Sequence, residues 1–182
     1  MKRNVFVFLL LTALAVSVYG QTADDFIKSG NDAYYKKDYK KAIADFTEAI
    51  RLNPNSVTAY LKRGEATALD NFFMPDKATA ERIIADFTEV IRLNPNSTAG
   101  YYSRGQIYNW SVIRDYDKAI ADFTQCIRFD PKHIDAYRHR AKTYYEMGDY
   151  KQAREDVNKV LQISPNNQVA KDLDAKLKEK GY

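Results

Sequence analysis

The sequence predicts an all-α fold, a stack of short helical hairpins, and three observations carry that expectation. Of 182 residues, 45% are hydrophobic and only 7 are Gly and 5 are Pro. This scarcity argues against collagen-like, low-complexity and many-turned β classes. The prolines are not scattered: Pro54, Pro95, Pro131 and Pro165 each follow a similar phrase, at spacings of 41, 36 and 34. Within each phrase the apolar residues fall at offsets of three, four and seven, the periodicity of one helix face.

In chain order, the first element is a targeting segment. Lys2 and Arg3 precede an almost wholly apolar run of 14 residues from Val5 to Val18, and Val18-Tyr19-Gly20 places small residues where a signal peptidase reads. This predicts a secretory signal peptide over residues 1–20, cleaved after Gly20. The run is shorter than the roughly 20 residues of a membrane-spanning helix. An uncleaved anchor is the alternative. No Cys lies near the cleavage point to accept a lipid. Residues 21–182 are therefore expected to be exported, soluble and without stable membrane insertion. Loss of Lys2 and Arg3 lowers the formal charge from +4 to +2, which leaves no footprint for nucleic acid.

The repeated phrase comes next. It runs Ala44 to Asn53, Ala85 to Asn94, Ala121 to Asp130 and, diverged, Glu155 to Ser164. In the first copy Ala42, Ile43, Phe46, Ala49 and Ile50 share one helical face. Proline ends each helix, because it lacks a backbone donor and biases the residue before it out of the helical region. Ser56, Ser97 or the pair Asn166-Asn167 then caps the following helix. Upstream of each phrase a second helix is marked by a large aromatic with a small residue four positions later: Phe26 and Gly30, Tyr60 and Gly64, Tyr101 and Gly105, Tyr137 and Ala141. The phrase helix opens at Asp38, Asp115 and Asp149, good N-caps that also suit the positive end of the helix dipole. Val169, Leu173 and Leu177 recur at steps of four in the last 15 residues, a capping helix for an otherwise open apolar edge.

A period in this range signals stacked supersecondary units, and the pattern resembles the tetratricopeptide repeat. Phe26, Gly30, Ala42, Phe46, Ala49 and Pro54 match its signature in the first unit. Tyr101, Gly105, Tyr108, Ala119, Phe123, Cys126 and Pro131 match in the third, and Tyr137, Ala141, Tyr144, Ala153, Val157, Val160 and Pro165 in the fourth. The second is loosest, with Tyr60, Gly64, Ile83, Phe87, Val90 and Pro95. The implied fold is an α-solenoid of four helix-turn-helix repeats, 23–56, 57–97, 98–133 and 134–167, closed by a capping helix over 168–182. Ser29, Arg63, Arg104 and Arg140 stand where the family usually has Leu.

Chemistry is hard to place on this chain. Cys126 takes a small buried position and reads as packing. His133, in an interhelix turn, and His139 have no further ligand at metal spacing, so neither metal nor cofactor is expected. Pairs such as Asp24-Asp25 read as solvated faces. No catalytic set converges, and an enzyme is the least favoured class.

What remains is surface. The resemblance implies that first helices line a concave groove. The first unit would contribute Ile27, Asn31, Tyr34 and Tyr35, and the second Leu61, Glu65 and Leu69. The third adds Tyr102, Gln106 and Trp110, and the fourth Arg138, His139, Lys142 and Tyr145. Such a groove, apolar early and basic late, suits a peptide or helical segment with an apolar part and an acidic end. The two-carboxylate clamp of some relatives is not expected, because only Asn31 matches it; Ile27, Lys62, Ala99 and Ser103 hold the other positions. A second surface comes from insertions of seven residues in unit two and two in unit three. Phe72, Phe73, Met74, Trp110, Val112 and Ile113 would form one exposed apolar patch, or pack on each other and only lengthen the hairpins. The reading is a non-enzymatic protein-protein interaction scaffold in the cell envelope, most simply a periplasm, with secretion or a retained signal as alternatives. The other functional class is an accessory protein of a periplasmic transport system that docks a solute receptor or carries a small apolar ligand. Oligomers through the insertion edge fit that version.

Overall fold

The computed structural model describes residues 20–73 and 75–182; the signal-peptide reading over residues 1–19 and the patch residue Met74 lie outside them. All regular structure among the described residues is helical. In order, the helices are α1 (Ala23–Tyr35), α2 (Tyr39–Leu52), α3 (Val57–Asp70), α4 (Lys77–Leu93), α5 (Thr98–Tyr108), α6 (Tyr116–Phe129), α7 (Ile134–Met147), α8 (Tyr150–Ile163) and α9 (Gln168–Glu179). Each packs on the next, so α1/α2, α3/α4, α5/α6 and α7/α8 form four hairpins, with α9 against the last.

Local chemistry sets the boundaries. Thr22 opens α1 with a reciprocal capping box to Asp25, and Asp38, Asp76, Asp115 and Asp149 each accept a backbone N–H at the start of a second helix. Ser56 and Ser97 cap the first helices α3 and α5, and Asn167 caps α9. The turn residue His133 takes the same role at α7, where its Nδ1 accepts the Ala136 N–H at 3.1 Å. Ahead of the four repeat prolines, Asn53, Asn94, Asp130 and Ser164 hold φ between −132° and −137° and ψ between 86° and 90°. Four sequences thus reach one backbone geometry, the extended one that a following proline imposes.

Inside each hairpin the small residue of the first helix meets the large residue of the second. A Cβ added at Gly30, Gly64 or Gly105 would stand 2.7 to 2.8 Å from the ring of Phe46, Phe87 or Phe123. In the fourth hairpin Ala141 faces the same cluster as Val157, so a larger first residue is matched by a smaller second one. Cys126 is fully buried, and desolvation pushes its thiol up to about 11. It behaves as a small apolar side chain.

The hairpins are also joined by a polar ladder. Arg63, Arg104 and Arg140 each hold one carboxylate of their own hairpin in a two-pronged fork, on Asp86, Asp122 and Asp156, at 2.6 to 2.9 Å. The third guanidinium nitrogen reaches back to a threonine of the previous hairpin: Thr47 at 3.4 Å, Thr88 at 3.0 Å and Thr124 at 2.8 Å. Arg104 lies over the rings of Tyr101 and Tyr108, and Arg140 over Tyr137 and Tyr144. The three aspartates are buried. Both ends of the stack depart from this scheme. Ser29 replaces the arginine in the first hairpin, binding Asp45 at 2.7 Å beside Lys41. At the other end Arg154 of α8 pairs with Asp174 of α9, so the cation now sits on the second helix.

The insertions are absorbed differently. Unit two places its extra residues in a long turn after α3 and in a 17-residue α4, against 14 residues in α2, α6 and α8. Unit three keeps a shortened α5 of 11 residues and a longer turn, closed by Arg114 in the left-handed region at φ 49°. That turn folds inward: Trp110, Val112 and Ile113 pack against the cluster of Ala80, Ile83, Phe87 and Ile107. Phe72 and Phe73 stay 63% and 92% exposed. The expected single patch therefore does not form. Trp110, Val112 and Ile113 seal the junction of hairpins two and three, while the two phenylalanines pack edge to face on each other at 5.4 Å.

Candidate functional site

The first helices carry two adjoining concavities. The early one, about 410 Å³, is floored by Ala68, Phe87 and Ile107 and walled by Tyr34, Glu65, Leu69, Tyr102 and Gln106. Thr98, Ala99, Ser103 and His133 complete it. The late one, about 540 Å³, is lined by Arg138, His139, Lys142, Tyr145 and Glu146 of α7 and by Val169, Asp172, Leu173 and Lys176 of α9. Between them stands a packed partition. The Tyr102 ring meets the His139 ring edge-on at 5.6 Å and the His133 ring at 4.9 Å, and Gln106 Nε2 lies 3.4 Å from His139 Nε2.

Burial sets the electrostatics of the partition. Desolvation raises the Tyr102 phenol to about 12, and desolvation with the nearby Arg138 cation lowers His139 to about 4. At neutral pH both side chains are uncharged, so His139 adds nothing to a basic end. The other charges of the late pocket are largely matched: Arg138 pairs with Asp135 at 2.8 Å and Lys142 with Glu146 at 3.6 Å. In the early pocket Glu65 pairs with Lys62 at 2.8 Å, and the Lys62 ammonium lies 5.2 Å from the centre of the Tyr34 ring. Aromatic faces, an apolar floor, the Gln106 amide and a few hydroxyls give the early pocket the means to hold an apolar side chain and a peptide backbone.

Tyr34, Glu65, Leu69, Tyr102 and Gln106 share the early pocket, and Arg138, His139, Lys142 and Tyr145 the late one. Five expected groove residues are elsewhere. Ile27 and Trp110 line neither pocket, and Trp110 packs in the junction of hairpins two and three. Leu61 packs into the cluster under hairpin two, since its face turns toward Phe87. Tyr35 ends α1 and projects from the turn, 78% exposed, touching Tyr34 edge-on. Asn31 is half-buried and lines neither pocket. The sequence reading missed the contribution of α9, whose Val169 and Leu173 were expected to seal the end. Ala170 and Leu177 are buried there and Leu173 packs against the Leu177 cluster, while Val169 is exposed on the pocket wall.

Comparisons with known proteins decide the family. A family model described as tetratricopeptide repeat matches residues 110–178, and another, described as TPR repeat, matches residues 30–69. The chain belongs to the tetratricopeptide repeat family. A search of curated proteins returns no significant match. Among solved structures, a MamA protein is similar at 23% identity and TM-score 0.77, over 87% of this chain and 82% of that one. A thermophilic TPR protein of Thermus thermophilus is similar at 18% identity and TM-score 0.67, over 94% and 87%. The first TPR domain of Spaghetti (RPAP3), bound to the HSP90 peptide SRMEEVD, is similar at 19% identity and TM-score 0.62, over 70% and 94%. These likenesses show the tetratricopeptide solenoid itself. That fold supports a protein-protein interaction scaffold. Among the described residues, no group of three or more His, Cys, Asp or Glu side chains is placed to hold a metal ion.

Proposed function

We propose that this tetratricopeptide protein is a non-enzymatic scaffold of the cell envelope that holds a peptide or helical segment of a partner in its concave groove. The observation that carries the proposal is the pair of adjoining pockets along the first helices, parted by the uncharged wall of Tyr102, Gln106 and His139. An occupant lying across both places an apolar side chain over Phe87 and Ile107 and its polar part among Arg138, Lys142 and Lys176. The peptide held by the RPAP3 domain supports this mode of use for the fold. The ligand differs in kind, because Lys62 is already engaged by Glu65 and the clamp positions hold Ile27, Ala99 and Ser103. Export rests on the apolar run behind Lys2 and Arg3.

Panning a displayed peptide library against residues 21–182 tests the groove. Recovered peptides are expected to share an apolar anchor. Leu69→Arg, at an exposed wall position, should weaken them by about tenfold or more with an unchanged melting temperature. Equal binding to the wild type and to Leu69→Arg would exclude this groove. For export, the N-terminus of protein recovered from an envelope fraction is expected at Gln21; cytosolic protein that retains Met1 would sink that part.

A further inference from the structure

The arginine ladder repeats in three hairpins, but its ring stack is complete in only two. Arg104 and Arg140 each lie over two tyrosines of their own helix, one three residues before and one four residues after: Tyr101 and Tyr108, Tyr137 and Tyr144. In hairpin two the first ring is present, with Arg63 at 5.6 Å from the centre of Tyr60. Thr67 stands where the second belongs. A cavity of about 530 Å³ opens there, between Thr47 of α2, Arg63 and Thr67 of α3 and Asp86 of α4, and no aromatic side chain lines it. It shares no residue with either groove pocket.

The surroundings of the missing ring are conserved along the stack. Ile43 and Thr47, on the cavity wall, recur as Ile84 and Thr88 and as Ile120 and Thr124. Counted from the buried Phe87 and Phe123, Arg82 takes the place of Lys118. The Lys118 ammonium lies 5.5 Å from the centre of the Tyr108 ring, so in hairpin three each helix gives that ring a cation. Arg82 lines the hairpin-two cavity, and its guanidinium donates to Thr79 Oγ1 at 2.9 Å. Charge alone selects no occupant, because Arg63 and Arg82 are matched in number by Asp70 and Asp86, and Arg63 is already forked on Asp86.

We propose that this cavity binds a phenol ring supplied from outside the chain, in the place that Tyr108 and Tyr144 fill in their own hairpins. The ring offers its face to the guanidinium groups of Arg63 and Arg82, as Tyr108 does to Arg104 and Lys118. Its hydroxyl donates to Asp70, whose carboxylate has no basic partner among the described residues. The volume is that of a small-ligand pocket and exceeds one ring, which leaves space for the remainder of the molecule.

Titration of p-cresol, the tyrosine side chain as a free molecule, into isotopically labelled residues 21–182 tests the proposal; these residues contain every described helix. Saturable shifts are expected at the amides of Thr67, Asn71 and Arg82, with a Kd on the order of 1 mM. 4-Methylcyclohexanol, of similar shape but without a π face, should bind at least about fivefold more weakly, and Arg82→Gln should weaken p-cresol about two- to fivefold. Thr67→Tyr puts the chain's own ring in the cavity and should abolish the shifts while raising the melting temperature. If that variant fails to fold, Tyr108→Thr serves instead, since it should open the same space in hairpin three and add p-cresol shifts around Arg104 and Lys118. N-acetyltyrosinamide separates two sources of the ring: tighter binding than p-cresol assigns it to a tyrosine of a partner protein, weaker binding to a free phenol. No saturable shift at the three amides, equal binding of the saturated alcohol, or undiminished binding to Thr67→Tyr overturns the proposal. So do shifts that appear only in Phe72→Ser/Phe73→Ser, which would mean that the rings of the neighbouring turn already fill the space. None of the altered residues lines the groove, so the result is independent of the scaffold reading.

Discussion

One methyl group separates Gly30, Gly64 and Gly105 from Ala141, and it decides which side chain the partner helix carries. Where the first helix has glycine, a phenylalanine ring fills the space a Cβ would need; where it has alanine, the partner is Val157. Gly64→Ala is expected to destabilise by about 1–3 kcal/mol through overpacking against Phe87. Adding Phe87→Val should recover part of that loss, because the alanine then has room; a double-mutant cycle in urea measures the coupling. Strict additivity would mean that Gly64 serves something other than the ring. The glycines were visible in the sequence as small residues at a fixed offset. The reciprocity became visible only when the two helices were set against each other.

His139 carries a second residue-scale prediction. Its imidazole faces the cations Arg138 and Lys142 and the ring of His133, with Asp135 opposing them, and burial and these neighbours hold it near 4 against 6.5 when exposed. The unfolded chain therefore takes up the proton first. Stability is full above about pH 6.5, and falls as pH drops through the window down to about 4, by up to about 3 kcal/mol. Urea titrations across this window should show that slope, and His139→Gln should flatten it. An unchanged slope in the variant would assign the acid sensitivity to other groups.

At the scale of the element, the ladder explains why three arginines stand where the resemblance leads one to expect leucine. Asp86, Asp122 and Asp156 are buried within the hairpins, so the arginine neutralises a carboxylate that is already there. Arg104→Leu, although it restores the usual family residue, should cost about 3–5 kcal/mol because Asp122 is left buried without a partner. Thr88→Val removes only the link to the previous hairpin and should cost about 1 kcal/mol. If chemical denaturation ranks these two in the reverse order, the ladder acts mainly between hairpins rather than within them. A regularity that could have revealed it was in the sequence. Thr47 to Arg63, Thr88 to Arg104 and Thr124 to Arg140 are each 16 residues apart. Arg63 to Asp86, Arg104 to Asp122 and Arg140 to Asp156 are 23, 18 and 16 apart. The first interval crosses only the proline turn, whose geometry is fixed; the second crosses the turns that accept insertions. Reading each arginine as an isolated departure hid the constant interval.

At the scale of the whole molecule, the nine helices among the described residues were legible because proline, caps and apolar periodicity all act locally. The site was half legible. Residues on the outer face of a first helix, such as Glu65, Tyr102 and Gln106, follow from the repeat. Leu61, Trp110, Val112 and Ile113 do not, because whether an apolar side chain faces a groove or a junction depends on how neighbouring hairpins meet. The last helix shows the same limit, being both lid and pocket wall. Leu177→Ala, at its one fully buried leucine, should cost about 2–5 kcal/mol and loosen the late pocket with it. Peptides anchored near Lys176 would then weaken while those held over Phe87 would not.

The two ends of the ladder have a consequence for how this stack can grow. An interior hairpin has an arginine ready for the threonine behind it and a threonine ready for the arginine ahead, like a coupling with matched halves. A second copy of residues 98–133 placed after the first would find Thr124 behind its own Arg104 and offer Thr124 to Arg140 in turn. Beyond the fourth hairpin the coupling is reversed, because Arg154 calls for an acid such as Asp174. Ahead of the first, Ser29 keeps to its own Asp45. The molecule can therefore be lengthened in its middle but not at its ends.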